Sequence, residues 1–385
     1  MAYSIEVAKE LVVLAGKRLV ESGLIARTWG NISARISDTQ FVITPSGLAY
    51  ETLTSKQIVT VNIADCSYEG GIKPSSEKGI HADAYHLRPQ VNFIIHTHQQ
   101  MASVISIEGE NLKIQDKEEK KILGDVVPCA AYGMPSTAKL RERVAEAVRA
   151  NPQSKAVLLK YHGTLCMGDD PEQCFLIAAT LETVAEERYK SVCVPDPITS
   201  SETTAGEGAK IPVEDYGISV RTGNSFLLKY NGVPAQFEID HLPEGAPKAA
   251  VLHAEIYQHS KVNHIIHTTG TKIMKVSTAG RMVRPFLDDL AQIAGVNIKS
   301  VRNGFDHPKR VARELKQKNA LLLENAGALC TGITEDDARA VGMVLEKGCA
   351  ADMYASALHK TNSLSLPDAY LQRLVYVLKY SKQKK

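Results

Sequence analysis

Three histidines and one carboxylate in this chain have the types and spacing of a catalytic centre. His96 and His98 stand one residue apart at the end of the apolar run Val91–Ile95, and His162 precedes Gly163 after a second run, Ala156–Leu159. Short apolar runs rich in β-branched residues read as buried strands. Strand side chains alternate faces, so His96 and His98 point the same way with Thr97 opposite, as a chelating pair requires. A strand running into His162-Gly163 presents a third imidazole. Three imidazoles leave coordination positions open, which is the pattern of a catalytic rather than a structural metal. Any one of these histidines alone would read as an ordinary hydrogen-bonded residue.

The carboxylate is Glu77, in Pro74-Ser75-Ser76-Glu77. Ser75 or Ser76 can cap a helix that carries Glu77 in its first turn and Ile80, Ala84 and Leu87 on its apolar face. The free N–H groups of that turn, with two hydroxyls, form an anion pocket, and the same donors serve ordinary capping. Upstream, Trp29-Gly30-Asn31-Ile32-Ser33 and Ile43-Thr44-Pro45-Ser46-Gly47 are glycine-bearing turns able to bring backbone amides to a ligand. The chain has no Gly-x-Gly-x-x-Gly or Walker-type loop, so a nucleotide is not indicated.

Residues 1 to about 190 resemble the class II aldolase/adducin family, nearest the metal-dependent ketose-1-phosphate aldolases of the L-fuculose-phosphate type. The likeness rests on Gly30-Asn31-Ile32-Ser33-x-Arg35, Ile43-Thr44-Pro45-Ser46-Gly47, Pro74-Ser75-Ser76-Glu77 with His81 and Tyr85, Arg88-Pro89, His96-Thr97-His98, Val127-Pro128-Cys129 with Tyr132, and His162-Gly163. It implies a mixed, largely antiparallel sheet with flanking helices. It implies zinc, or else manganese, cobalt or iron, on His96, His98 and His162, with Glu77 as acid/base and occasional ligand. It implies a phosphate pocket from Gly30, Asn31, Ser46, Gly47, Ser75 and Ser76. Tyr132 falls where those aldolases keep a tyrosine for the aldehyde-oxygen proton, and His81 takes a supporting role.

Elementary chemistry agrees with that assignment. Breaking a C–C bond beside a ketone leaves an enediolate, whose charge a Lewis acid spreads. A carboxylate then moves a proton at carbon, a phenol takes the proton of the hydroxyl that becomes the aldehyde, and a phosphate clamp orients the substrate.

The remaining composition sets bounds. At 385 residues the chain suits two domains, with 44% apolar and 23% charged residues and a net charge of +2. That balance gives no case for nucleic acid or a membrane surface, and no run approaches a membrane span. Lysines gather only at Lys379–Lys385, a solvated tail. Seven cysteines without a Cys-x-x-Cys fit a reducing, cytoplasmic compartment. Met1 to Gly23 reads as an amphipathic helix rather than a signal peptide.

A linker opens at Pro195-Asp196-Pro197 and is rich in Ser, Thr, Gly and Glu. After it the chain repeats itself: His81-Ala-Asp-Ala-Tyr85 recurs as His253-Ala-Glu-Ile-Tyr257, Val91 to Thr97 as Val262 to Thr268, and Ala156 to Gly163 as Ala320 to Gly327. The predicted organisation is a catalytic domain over 1–194, a linker over 195–214, and a degenerate copy over 215–385. In that copy Thr269 replaces His98, Ala326 replaces His162, Pro247-Lys248-Ala249-Ala250 lies where Glu77 would be, and Asn303 aligns with Tyr132. His267 cannot hold a metal by itself, so one metal per chain is expected.

The expected function is metal-dependent cleavage of a ketose 1-phosphate to dihydroxyacetone phosphate and a small aldehyde, an aldehyde-lyase reaction. A 4-epimerase, decarboxylase or dehydratase acting on a sugar phosphate is the alternative on the same scaffold, and a non-catalytic adducin-like scaffold is a third reading. A homo-oligomer is expected, a ring of four chains in preference to a dimer, because Tyr132 must reach a neighbour's site for the aldolase proton relay.

Overall fold

The structure is a computed structural model that describes residues 2–22, 30–193 and 213–380. Gly23, Trp29 and the linker up to Pro212 lie outside the described residues, as does the end of the lysine-rich tail, 381–385. The chain forms two compact units, one ending at Val192 and one running from Cys193 to Leu378.

The first unit contains α1 (Ile5–Glu21), β1 (Gly30–Arg35), β2 (Gln40–Ile43), β3 (Val59–Asn62), α2 (Lys78–Leu87), β4 (Phe93–Thr97), α3 (Gln100–Ile105), β5 (Leu112–Lys113), α4 (Lys117–Leu123), β6 (Val126–Val127), β7 (Cys129–Ala130), α5 (Ala138–Ala150), β8 (Ala156–Leu159), β9 (Gly163–Gly168) and α6 (Pro171–Val192). Its main sheet has the order β3-β2-β1-β4-β9-β8-β7. Every pairing is antiparallel except β7 with β8. Alternation along the strands covers both faces. Ile94, Val157, Leu159 and Leu165 pack under Ile80, Ala84, Leu140 and Val144 of α2 and α5. Phe93, Ile95, Ile32 and Val42 pack against Val12 and Leu19 of α1 and Phe175 of α6. Each such fully buried side chain contributes roughly 1.5–3 kcal/mol.

The second unit contains β10 (Ile218–Thr222), β11 (Ser225–Tyr230), β12 (Val233–Glu238), α7 (Lys248–His259), β13 (His264–Thr268), α8 (Thr271–Thr278), β14 (Ser300–Val301), α9 (Pro308–Gln317), β15 (Ala320–Leu323), β16 (Gly327–Gly332), α10 (Glu335–Ala357) and α11 (Leu366–Val375). Its sheet order, β12-β11-β10-β13-β16-β15-β14, is that of the first unit strand for strand, again with one parallel pair, β14 with β15. The tandem α/β architecture is therefore plain in the topology.

Two local readings shift. The strand expected at Val91–Ile95 runs from Phe93 to Thr97, because the Val91 N–H closes the turn after α2 on the Arg88 carbonyl (3.0 Å). His162 does not end a continuing strand. Lys160-Tyr161-His162 is a tight turn between antiparallel β8 and β9, with Leu159 opposite Gly163 and Tyr161 at φ 65°.

Candidate metal centre

Antiparallel pairing of β4 with β9 brings the three imidazoles together. His96 lies on β4 opposite Leu165, His98 follows the strand by one residue, and the β8–β9 turn lowers His162 onto them. Their ligand nitrogens all lie within 4.8 Å of one another. The rings of His96 and His162 stack at 5.0 Å, and His98 meets both edge-on at 5.0 and 4.6 Å. Gly163 makes this approach possible: a Cβ there would collide with the Thr97 carbonyl oxygen and press on the His96 ring.

His96 donates its Nδ1–H to the Thr164 carbonyl oxygen at 2.8 Å. A carbonyl only accepts, so in the neutral ring Nε2 carries the lone pair. That nitrogen is buried and makes no hydrogen bond, while Oε2 of Glu77 lies 3.2 Å away. Oε1 of Glu77 lies 3.2 Å from Nε2 of His162. Burial alone would push the Glu77 carboxyl up, but His162 and His96 hold it well below the usual carboxylate range. A carboxylate oxygen 3.2 Å from an imidazole Nε2 in a buried site needs a positive charge between them, which either a proton on the ring or a metal ion can supply. Three imidazoles with an adjacent carboxylate supply the donor set of a divalent metal, and the residues fit one.

Helix α2 starts one residue later than its sequence suggests. Glu77 is itself the N-cap, at φ −101° and ψ 14°, without a side-chain cap bond. Its carboxylate turns to the histidines instead, while Ser75 Oγ accepts the Glu77 N–H at 3.2 Å. The two turns expected to bind phosphate meet. Ser46 N–H donates to the Lys73 carbonyl (2.9 Å), Ser75 N–H donates to the Thr44 carbonyl (3.0 Å), and Pro45 pairs with Pro74. Gly47 takes φ 76° in that turn, and exposed Ser76 shares a hydrogen bond with Ser136 at 2.8 Å. Gly30 begins β1 opposite Thr97, its carbonyl accepting the Tyr50 hydroxyl at 2.7 Å. Asn31 sits opposite His96 and donates Nδ2–H to Glu77 Oε2 at 3.3 Å. Tyr132, half-buried two residues past β7, lies against the Tyr161 ring at 5.8 Å, beside the turn that carries His162.

Two supporting residues, Gln99 and Thr164, were not singled out in the sequence. Gln99 Oε1 accepts the hydroxyls of Thr97 and Thr164, both at 2.8 Å, and its amide is anchored on the Ala178 carbonyl at 2.6 Å. This network fixes the peptide that holds His96. The internal repeat contains the signal that could have found it: Gly270 and Ala328 occupy the places of Gln99 and Thr164 in the second unit.

The second unit repeats the scaffold around different side chains. Register places Ala326 where His162 stands, Gly217 where Asn31 stands, and Asn303 two residues past β14 as Tyr132 is past β7. His267 donates Nε2–H to the Ala326 carbonyl at 2.5 Å, and its Nδ1 accepts the Tyr216 N–H at 3.2 Å. Both ring nitrogens are thereby engaged by backbone. Among the described residues, the one cluster of metal-ligating type is His96, His98 and His162.

A profile of the Class II Aldolase and Adducin N-terminal domain matches residues 10–189 and again 218–353. The chain belongs to the class II aldolase and adducin family. L-fuculose phosphate aldolase of Escherichia coli K12 is 32% identical over 176 residues, 46% of this chain and 80% of that protein. The 5-deoxy-D-ribulose 1-phosphate aldolase of Bacillus thuringiensis serovar kurstaki is 31% identical over 190 residues, 49% of this chain and 87% of its own. The solved L-fuculose-1-phosphate aldolase of Thermus thermophilus is 28% identical and covers 48% of this chain and 93% of its own, with a TM-score of 0.41. Class II aldolases are metal-dependent, and this member of the family is an aldehyde-lyase. No described helix is long and apolar enough to cross a membrane.

Proposed function

We propose that the first unit cleaves a ketose 1-phosphate to dihydroxyacetone phosphate and a small aldehyde. The observation that carries this reading is the convergence of three imidazoles with the Glu77 carboxylate 3.2 Å from two of them. His96, His98 and His162 would hold a divalent cation, zinc by the preference of imidazole ligands, with Glu77 in reach as a fourth ligand. Such a cation supplies Lewis acidity toward the oxygens of the reacting carbonyl.

The chain's own groups do the rest. Tyr132 takes the proton of the hydroxyl that becomes the aldehyde as the C–C bond breaks. The electron pair of that bond passes toward the ketone; Glu77, having taken up a proton from solvent, gives it to the carbon left behind, and the proton that Tyr132 removes passes to solvent, so that none is gained or lost. Gly30, Asn31, Ser46, Gly47, Ser75 and Ser76 hold the phosphate away from the breaking bond. Their adjacency at one end of the sheet supports this, as do the names of the relatives. For Tyr132 to act, four chains would pack their first units around a ring, each tyrosine serving the next site.

The test is the metal-loaded protein against a panel of ketose 1-phosphates with dihydroxyacetone phosphate as readout. Release of that product from at least one substrate is expected. Turnover without it moves the function to another reaction of the scaffold. In hybrid oligomers, Tyr132→Phe mixed with His96→Ala should recover activity, and failure to do so removes the shared site.

A further inference from the structure

A buried chain of hydrogen bonds ends on the Glu77 carboxylate. Tyr85 Oη lies 2.8 Å from Ser33 Oγ, and Ser33 Oγ lies 2.7 Å from His81 Nδ1. His81 Nε2 bonds Asn31 Oδ1, and Asn31 Nδ2 donates to Glu77 Oε2 at 3.3 Å. Ser33, His81 and Tyr85 are all essentially inaccessible to water.

The second unit fixes the direction of this chain. Ser219, His253 and Tyr257 repeat it at 2.6 and 2.7 Å, but there His253 Nε2 faces the Tyr216 carbonyl oxygen at 2.8 Å. A carbonyl cannot donate, so Nε2 carries the proton and Nδ1 accepts from the serine. Burial pushes His253 down to about 4 and His81 down to about 3, so both rings are neutral near pH 7. Carried to the first unit, the same tautomer gives His81 Nε2–H to Asn31 Oδ1. The amide of Asn31 is thereby held in one orientation, its NH₂ toward Glu77. The serine, histidine and tyrosine persist where Glu77 has no counterpart, so they serve the scaffold. Asn31 is the residue that connects them to the carboxylate, and Gly217 stands in its place in the second unit.

We propose that Asn31 is a positioning residue for Glu77. Its amide anchors Oε2 and so fixes the rotation of the carboxylate between His96 and His162. This rests on the reading of Glu77 as the acid/base, and it gives Asn31 a duty separate from gripping phosphate. A positioned carboxylate loses transition-state alignment, not ground-state affinity, when its anchor is removed.

Asn31→Asp tests this because it keeps an acceptor for His81 and removes the donor to Glu77; Asn31→Ala is the second variant should the first not fold. In the metal-loaded full chain we expect kcat at saturating substrate to fall about 10–100-fold with metal content unchanged, in addition to any rise in KM and weakening of phosphate inhibition that the loss of a clamp residue brings. A crystal structure of the variant should show the Glu77 carboxylate rotated off its place between His96 and His162. Weaker phosphate inhibition with unchanged kcat overturns the proposal and leaves Asn31 with the anion clamp as its sole duty. Unchanged kinetics with an unmoved carboxylate overturns it as well. If the parent protein releases dihydroxyacetone phosphate from no substrate, the assigned reaction fails by itself, and the carboxylate's position in the variant still decides the role of Asn31.

Discussion

The two units share one strand order and one set of scaffold contacts, and they part company at the end of the sheet where β1, β4 and β9 meet, or β10, β13 and β16 in the second unit. Both keep Ser33-His81-Tyr85 or its counterpart Ser219-His253-Tyr257. Both keep a glycine whose Cβ would strike a β-strand carbonyl, Gly163 under Thr97 and Gly327 under Thr268. Both keep a glutamate of the long helix that accepts two N–H groups at the start of the short helix after the histidine strand: Glu182 on Met101 and Ala102 of α3, Glu346 on Lys272 and Ile273 of α8. Asn31, Glu77, His98, Gln99, Tyr132, His162 and Thr164 are present in the first unit alone. Two units of one topology separate two demands on a sequence: what both keep supports the fold, and what the first alone carries, the three-histidine cluster included, is where the proposed reaction lies.

The largest effect should come from the ligands. Elemental analysis of the purified chain should find one metal per chain, none after His98→Ala with His162→Ala, and one after His267→Ala. Turnover should vanish in the double variant and stay intact in the His267 variant. Metal near two per chain would break the comparison outright. Next, Glu77→Gln keeps size and metal while removing the proton carrier, so kcat should fall on the order of 10²–10⁴-fold. The second unit offers no equivalent change, because helix register puts Ala249 at that place. Near-normal turnover in the metal-loaded Glu77→Gln protein would move the acid/base elsewhere.

Gly163→Ala and Gly327→Ala meet the same obstacle in the two units. Each should cost about 1–3 kcal/mol of stability by urea unfolding, the range of an overpacked site. Only the first should also weaken metal retention against a chelator, because it alone displaces the turn that carries His162. Gly327 adds a positive φ of 89°, so a milder cost there than at Gly163 would contradict the shared-scaffold account.

Much of this was legible in the residues. The grouping of His96, His98 and His162 and the repeat with its replacements were read from spacing and residue type, although the strand expected to run into His162 is in fact a turn. Other features left no mark. The hydrogen bond fixing His96 goes to the backbone carbonyl of Thr164, and a carbonyl is the same whatever the residue. Glu77 as N-cap rather than first-turn residue depends on where its side chain is drawn, which is a tertiary matter. The role of His81 could be ranked as supporting, but its tautomer needed the partner atoms of both copies. That the Ser46 and Ser75 turns lie together was implied by the family resemblance alone, because the bonds that join them, Ser46 to Lys73 and Ser75 to Thr44, run between backbone groups and leave no mark in residue type.

The smallest effect probes what the units share. His81 and His253 have ordinary imidazole values of 6.5 when unfolded, and burial lowers them to about 3 and about 4 in the fold. Between those limits the unfolded chain binds more protons than the folded one, so stability rises with pH. The contribution is complete above about pH 6.5 and is lost as pH falls toward the folded values. Each histidine accounts for about 1.4 kcal/mol per pH unit, or about 2 kcal/mol between pH 6.5 and pH 5. Acid also strips metal from imidazoles, so the first unit is read on metal-free protein. Urea unfolding followed by hydrogen exchange reports each unit separately. His81→Asn should flatten the acid slope of the first unit alone, and His253→Asn that of the second unit alone, by the same amount. A flattened slope in the second unit with no change in the first would mean that His81 takes up a proton beside Glu77 and Asn31. The two histidines would then no longer be equivalent parts of one scaffold, and the tautomer that orients Asn31 would have to be reassigned.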